Sequence, residues 1–200
     1  GIRRLTQEVD MARTHLITGA ASGIGLATRT LLEGRGDRVI GVDLHDADIV
    51  ADLGTAEGRA ALVTEATRIS GGRIDAIHAV AGLAHPVAAT VAINFFGTVA
   101  TLDGLRPLLA GSPAPRAVAV ASMASILPSD DTLVGLLTAG DEPAALAYAE
   151  GLAQDPATTG QLIYSSTKKA LAQWVRRSAP TPEWAGAGIP LNAVAPGIID

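Results

Sequence analysis

Short runs of β-branched and apolar residues alternate along the chain with longer stretches in which apolar residues recur every three or four positions. The short runs, near Thr14–Thr18, Arg38–Val42, Asp48–Ala51, Ala76–Val80, Ala117–Ala121 and Leu191–Ala195, read as buried strands. The longer stretches, over 22–34, 55–70, 87–110 and 164–179, read as helices. Turn residues agree, since Gly34-Arg35-Gly36-Asp37 closes the first helix, Gly71-Gly72 the second and Gly111-Ser112-Pro113 the third. This order predicts an α/β fold: a doubly wound parallel sheet flanked by helices, in one domain over 14–200, with 1–13 as an N-terminal extension. Met11 is a candidate native start, with the ten residues before it read equally as foreign to the native chain or as an extension of it.

Residues 126–161 break the rhythm, because about thirty-five residues stand where a short loop is expected. Leu133-Val134-Gly135-Leu136-Leu137 and Ala144-Ala145-Leu146-Ala147-Tyr148 give this segment helical character. It follows the carboxyl end of a strand, where open α/β sheets bind ligands. Leu127, Leu133, Leu136 and Leu137 are candidates to line an apolar slot there; a surface elaboration or a subunit contact is the alternative.

Two hundred residues at 48% hydrophobic content suffice for one substantial core. A net charge of −5 without basic clusters argues against nucleic acid or an anionic membrane as partner. Cysteine is absent, which excludes disulfides and thiolate metal sites and points to the cytoplasm. The opening segment lacks the apolar run of a secretory signal, and no run is expected to reach the length of a membrane span.

The most informative motif is Thr18-Gly19-Ala20-Ala21-Ser22-Gly23-Ile24-Gly25, between the first strand and the first helix. Gly19 can take backbone angles closed to other residues, Gly23 lets a ligand approach the main chain, and Gly25 lets helix and strand pack closely. A dinucleotide pyrophosphate would then face the free N–H groups of a helix N-terminus, as in a Rossmann-type domain. Asp43 ends the second strand eighteen positions after Gly25, close to the spacing of an acidic residue that accepts hydrogen bonds from the adenosine ribose. Its charge, with no basic residue in the glycine turn, favours NAD over NADP; satisfying a turn is the alternative. Asp52, before Leu53, is placed to bond the adenine amino group or to cap the following helix.

Tyr164 and Lys168 lie four apart on one helix, which stacks both side chains on one face. A free phenol ionises near ~10, and a neighbouring ammonium brings it toward working pH. Lys169 points about a hundred degrees away around the helix and cannot substitute. His15, His45, His78 and His85 show no ligand spacing and receive no catalytic or metal role. Trp174 and Trp184 read as packing or interface residues.

In order, Thr-Gly-x-x-x-Gly-x-Gly at 18–25, Asp43, Ala51-Asp52-Leu53, Ala81-Gly82, Asn94, Ser122, Tyr164-x-x-x-Lys168 and Pro196-Gly197 resemble the short-chain dehydrogenase/reductase family, from about Thr14 to Gly197. Thr55-Ala56-Glu57-Gly58-Arg59, Asn94-Phe95-Phe96-Gly97 and the long insertion resemble its NAD-dependent members acting on the 3α-hydroxyl of steroids. The resemblance implies that Ser122 bonds the reacting oxygen, with Ser125 as a less well placed alternative. It implies further that Tyr164 is the acid/base, that Lys168 lowers the tyrosine pKa and holds the ribose, and that Asn94 holds a water linking the lysine to solvent. Thr18, Gly19, Ser22, Gly23, Ile24, Gly25, Asp43, Asp52, Leu53, Ala81, Gly82, Tyr164, Lys168, Pro196 and Gly197 would contact the cofactor.

The implied activity is NAD-dependent hydride transfer between nicotinamide and a secondary alcohol or ketone, with a 3α-hydroxysteroid or 3-ketosteroid as substrate. Reduction of other bulky ketones and a catalytically silent NAD-binding regulator are the alternatives; a homodimer or homotetramer is the implied assembly. Two departures stand out. Ala79-Val80 occupy the place of the family's asparagine before Ala81-Gly82. The chain also ends at Asp200, before the family's threonine near the nicotinamide, mobile substrate loop and final strand, which predicts a portion of a longer protein and a bare sixth-strand edge.

Overall fold

A computed structural model describes residues 12–198. Six strands, β1 (Thr14–Thr18), β2 (Arg38–Asp43), β3 (Ile49–Val50), β4 (Ala76–Ala79), β5 (Arg116–Val120) and β6 (Leu191–Val194), form one sheet in the order β3-β2-β1-β4-β5-β6. Every pairing is parallel, with Leu16 opposite Ile40 and Ile77, and Ala117 opposite Leu191. The chain order reverses between β1 and β4, so a crevice opens at their carboxyl ends. β6 forms one edge and is exposed from Asn192 to Val194.

Apart from the short loop between β2 and β3, the connections carry helices: α1 (Gly23–Gly34), α2 (Ala56–Ser70), α3 (Ala88–Val91), α4 (Thr98–Leu109), α5 (Asp131–Ala139), α6 (Glu142–Leu152) and α7 (Gln161–Ser178). Leu16 and Ile40 point from the sheet into a large core shared with α2, α4 and α7, through residues such as Leu62, Leu105 and Leu171. The opposite face carries a smaller cluster of Ile17, Ala20, Leu32 and Val39 under α1. Side chains alternate across each strand, which is how two adjacent residues such as Leu16 and Ile17 serve two cores.

Several expectations change. The stretch expected as one helix over 87–110 is continuous, but Ala92–Gly97 between α3 and α4 is wound as a π-turn. The whole helical run Ala88–Leu109 is 22 residues long and apolar enough by composition to cross a bilayer, contrary to the expectation that no run reaches that length. Leu102, Leu105 and Leu109 are buried in the sheet's core, the position of an internal helix. α7 begins at Gln161, earlier than the expected 164, because Ile163 in its first turn is drawn into the core while Gly160 supplies no capping side chain to mark the start. Arg13, expected in the extension, belongs to the domain: its N–H donates to Asp37 and its guanidinium to the carbonyls of Asp75 and Ala114. The rest of that expected segment up to Met11 lies outside the described residues, as do Ile199 and Asp200.

The insertion is helical as expected. Asp130 caps α5 by accepting from the N–H of Leu133, Gly140 (φ +74°) ends it, and Asp141 caps α6 through Ala144. Its two helices pack against each other and against α7, α3 and the π-turn. Leu133 and Leu137 are fully buried in the main core and Leu136 packs on it, so three of the four leucines expected to line a slot are structural. Leu127 alone of the four is exposed.

Candidate active site

The glycine turn has the form its sequence predicts. Gly23 sits at φ +50°, where a Cβ would be strained, and nothing lies within 4 Å of the place that Cβ would take. At Gly25 a Cβ would stand 1.9 Å from the carbonyl oxygen of Gly19, so only glycine lets α1 lie this close to β1. Ser22 precedes α1 without capping it, leaving first-turn amides uncapped by that side chain. Open space against a bare main chain at a helix N-terminus is what a pyrophosphate requires, so these residues fit NAD.

Asp43 ends β2 and is oriented by two amides: Oδ2 accepts from Ala21 at 2.9 Å and Oδ1 from Leu44 at 2.7 Å. Each carboxylate oxygen keeps a second lone pair for a ribose hydroxyl. It borders a cavity of about 200 Å³ with Gly19, Ser22, Asp52, Leu53 and Ala81. Asp52 does not cap α2. Thr55 does, through the N–H of Gly58, while Asp52 Oδ1 accepts from Gly54 in a local turn.

A second cavity, of about 400 Å³, lies over the ends of β4, β5 and β6 and is bordered by Ile24, Ser122, Tyr164, Lys168, Pro196 and Gly197. Gly82 and Leu83 border both cavities, which are therefore two compartments of one cleft. Ser122 follows β5 and opens a short 3₁₀ turn, Met123–Ile126. Its Oγ accepts from the N–H of Ala124 at 3.1 Å, and its own O–H is left to donate. Capping and catalysis are thus compatible in one hydroxyl. Ser125 does not border the cavity.

Lys168 is only 4% exposed, and its Nζ donates to the carbonyl of Val120 at 2.9 Å. Nζ stands 5.7 Å from the ring centroid of Tyr164. Burial pushes the Lys168 ammonium down to about 8, which still leaves it charged at neutral pH. Lys169 is turned away, as expected, and bonds Ser129 at 3.0 Å.

Two expected site residues are engaged by the protein itself. Thr18 borders neither cavity: its Oγ1 is buried and accepts from the amides of Val80 at 3.0 Å and Ala81 at 3.1 Å. That hydroxyl makes a structural bond at the crevice root, where it is drawn to two strand-end amides. Asn94, in the π-turn, is fully buried. Its Oδ1 accepts from Leu83 N at 2.7 Å, and its Nδ2 donates to Leu83 O at 2.8 Å and Thr167 Oγ1 at 3.3 Å. The side chain therefore holds the main chain that divides the two compartments; Gly82 lies between it and Lys168, where a Cβ would come within 3.2 Å of Asn94 Oδ1 and 3.7 Å of Lys168 Nζ.

No family model matches the chain. It is 36% identical over 187 residues to 3-alpha-hydroxysteroid dehydrogenase/carbonyl reductase of Comamonas testosteroni, covering 91% of this chain and 71% of that protein. It is 31% identical over 205 residues to cis-4-hydroxycyclohexanecarboxylate dehydrogenase of Sinomonas cyclohexanicum, covering 94% of this chain and 74% of that protein. The solved structure of 3-alpha-hydroxysteroid dehydrogenase from Pseudomonas sp. B-0831 complexed with NADH superposes with a TM-score of 0.85 at 39% identity, over 94% of this chain and 73% of that one. The chain belongs to the short-chain dehydrogenase/reductase family.

Within that family framework, some site features escaped the sequence. Val120 offers only a carbonyl, and Ile93 and Leu83 offer only walls. Nothing in their side chains signals a site. A further pairing lies at the other end of the sheet, where His15 Nδ1 meets His78 Nε2 at 2.9 Å and His15 Nε2 lies 3.4 Å from Asp37 Oδ2. Neighbouring strands bring these histidines together, which residue spacing along the chain could not reveal. Burial lowers both, His78 to about 4.

Proposed function

We propose that this protein is an NAD(H)-dependent oxidoreductase that interconverts a secondary alcohol and its ketone on a hydrophobic ring system, with 3α-hydroxysteroids and 3-ketosteroids as the substrate class. The observation that carries the reading is the convergence of Ser122, Tyr164 and Lys168 on one compartment joined to the Asp43 compartment at Gly82–Leu83. The substrate class is supported by the names of the similar proteins, which place a hydroxyl on a steroid or a cyclohexane ring. It is supported also by the turn after Ser122, where Met123, Ile126 and Leu127 are 50%, 84% and 51% exposed. Apolar side chains left in water beside a reaction centre favour an apolar substrate, at about 25 cal/mol per Å² buried.

A bound NAD(H) would accept or supply the hydride at its nicotinamide ring. Asp43 and the uncapped turn of α1 would hold its adenosine and pyrophosphate, with Lys168 at the ribose beside the ring. In oxidation, Ser122 and Tyr164 hold the substrate hydroxyl, and the Tyr164 phenolate takes its proton as the hydride leaves. In reduction, the Tyr164 hydroxyl returns a proton to the carbonyl oxygen, which Ser122 steadies. Lys168 keeps its charge beside the ring in both directions.

The test is turnover of purified protein with NADH or NAD on a 3-ketosteroid, its 3α-alcohol and a panel of other ketones. Steroid turnover exceeding that of the panel is expected. Turnover of bulky non-steroid ketones alone would assign the carbonyl-reductase reading, and NADH binding without turnover the silent regulator. The proposal includes assembly into a dimer or tetramer, which a mass measurement by light scattering checks.

A further inference from the structure

The insertion helices do not border either compartment of the cleft, yet one side chain joins them to it. Arg59, in the first turns of α2, is 12% exposed, and its guanidinium serves three segments at once. Nε donates to the carbonyl of Leu53 at 2.8 Å, and Nη2 donates to the carbonyl of Ala92 at 3.2 Å. Nη1 and Nη2 grip the carboxylate of Glu142 in α6 at 2.8 Å and 2.7 Å. The guanidinium carbon lies 6.0 Å from the centroid of the Phe96 ring.

Each segment bears on the cofactor compartment. Leu53 is part of its wall, and Gly97 packs so closely on the Leu53 carbonyl that a Cβ there would stand 2.9 Å from the oxygen. Ala92 opens the π-turn whose next residue, Ile93, borders the same compartment and whose Asn94 holds Leu83. Glu142 comes from the insertion and supplies a paired negative charge to a nearly buried cation. Without it, Arg59 would keep neutral carbonyl partners and lose its counter-charge, an expensive state for a group so far out of water. The planar fork also fixes direction as well as distance, which a lysine could not do.

We infer that Arg59 and Glu142 are positioning residues that couple the docking of α6 to cofactor binding, so that the insertion acts on the site from behind by setting the Leu53 and Ile93 walls. The inference rests on the NAD reading above. Coupling is reciprocal: if a docked α6 favours the cofactor, bound cofactor must hold α6 down by the same free energy.

Two measurements test this. In the wild-type protein, NADH is expected to slow hydrogen exchange of the amides in the first turns of α6, a helix that borders neither compartment. In Glu142→Ala, the NADH dissociation constant is expected to rise roughly 5–20-fold and the exchange response to vanish, while kcat at saturating NADH changes much less. Glu142→Gln, which keeps the shape and a hydrogen bond, is expected to fall between the two. A residue that only stabilised the fold would lower the melting temperature without separating NADH affinity from kcat. Unchanged NADH affinity in both variants, or wild-type α6 exchange indifferent to NADH, overturns the inference while leaving the proposed function intact. Failure of the wild-type protein to bind NADH overturns both.

Discussion

The two compartments of the cleft are built by opposite means. The one beside Asp43 joins the bare main chain of the glycine turn to a carboxylate fixed by the amides of Ala21 and Leu44, and is walled by residues 51–53, residues 81–83 and Ile93. The one beside Tyr164 gathers the side chains of Ser122, which follows β5, and of Tyr164 and Lys168 from α7, walled by Ile24, residues 80 and 82–84, and Pro196 with Gly197. Recognising phosphate and ribose needs donors at set positions, which a backbone supplies without side-chain entropy. Moving a proton needs a group with a tunable pKa, which only a side chain can supply. The first compartment should therefore be sensitive to added atoms and the second to removed ones.

The sharpest test deletes one oxygen. Tyr164→Phe should lower turnover by roughly 10²–10⁴-fold with NADH affinity retained, because only the proton is lost. Steady-state rates beside NADH titrations check it, and near-native turnover would remove Tyr164 from the chemistry. Adding one carbon at Gly25 should have the complementary effect. Gly25→Ala forces a Cβ against the Gly19 carbonyl, a backbone contact that no rotamer relieves, and should cost about 3 kcal/mol of stability together with NADH binding. Denaturant unfolding measures the first and NADH titration the second.

Charge selectivity should follow the Asp43 compartment alone. Asp43→Ala is expected to narrow the preference for NAD over NADP by about 1–3 kcal/mol without changing the kcat of the NAD reaction by more than a few-fold. Tighter binding of NADP than NAD by the native protein would contradict the reading of this carboxylate. The smallest effect belongs to neither compartment. His78 has an ordinary value of 6.5 and is held near 4 by burial, and His15 is lowered for the same reason. The unfolded chain thus binds protons that the folded chain refuses, so stability falls as pH drops below 6.5 and levels off below about 4. For His78 the loss between pH 7 and pH 5 is on the order of 1–2 kcal/mol. Thermal melts of His78→Gln across that range should show a flatter acid limb.

The same division decides what could be read in advance. The strand and helix rhythm, the glycine turn and Asp43 were legible because each depends on residues close in sequence. Tyr164 and Lys168 were legible because four positions make one face of a helix. Asn94, Ser122 and Pro196 meant little by themselves and came from the order of motifs shared with the family. The bond from Lys168 to the Val120 carbonyl, the hold of Asn94 on Leu83 and the Arg59 fork were not legible, since they join separate segments and all three end in part on carbonyls that every residue carries. The slot expected from Leu133, Leu136 and Leu137 failed for a related reason. An apolar residue in a helix reports that it will be buried, not against what.

The Thr18 hydroxyl has a consequence for how the cleft can open. The ladder between β1 and β4 ends with Thr18 opposite Ala79, and the next two amides, Val80 and Ala81, would be loose ends where the strands diverge. A single oxygen takes both. The seam is thereby stitched at the point where a wedge-shaped ligand would otherwise pry the strands apart, and unzipping the sheet offers no exit. A ligand leaving this cleft is expected to pass the segments that border its mouth.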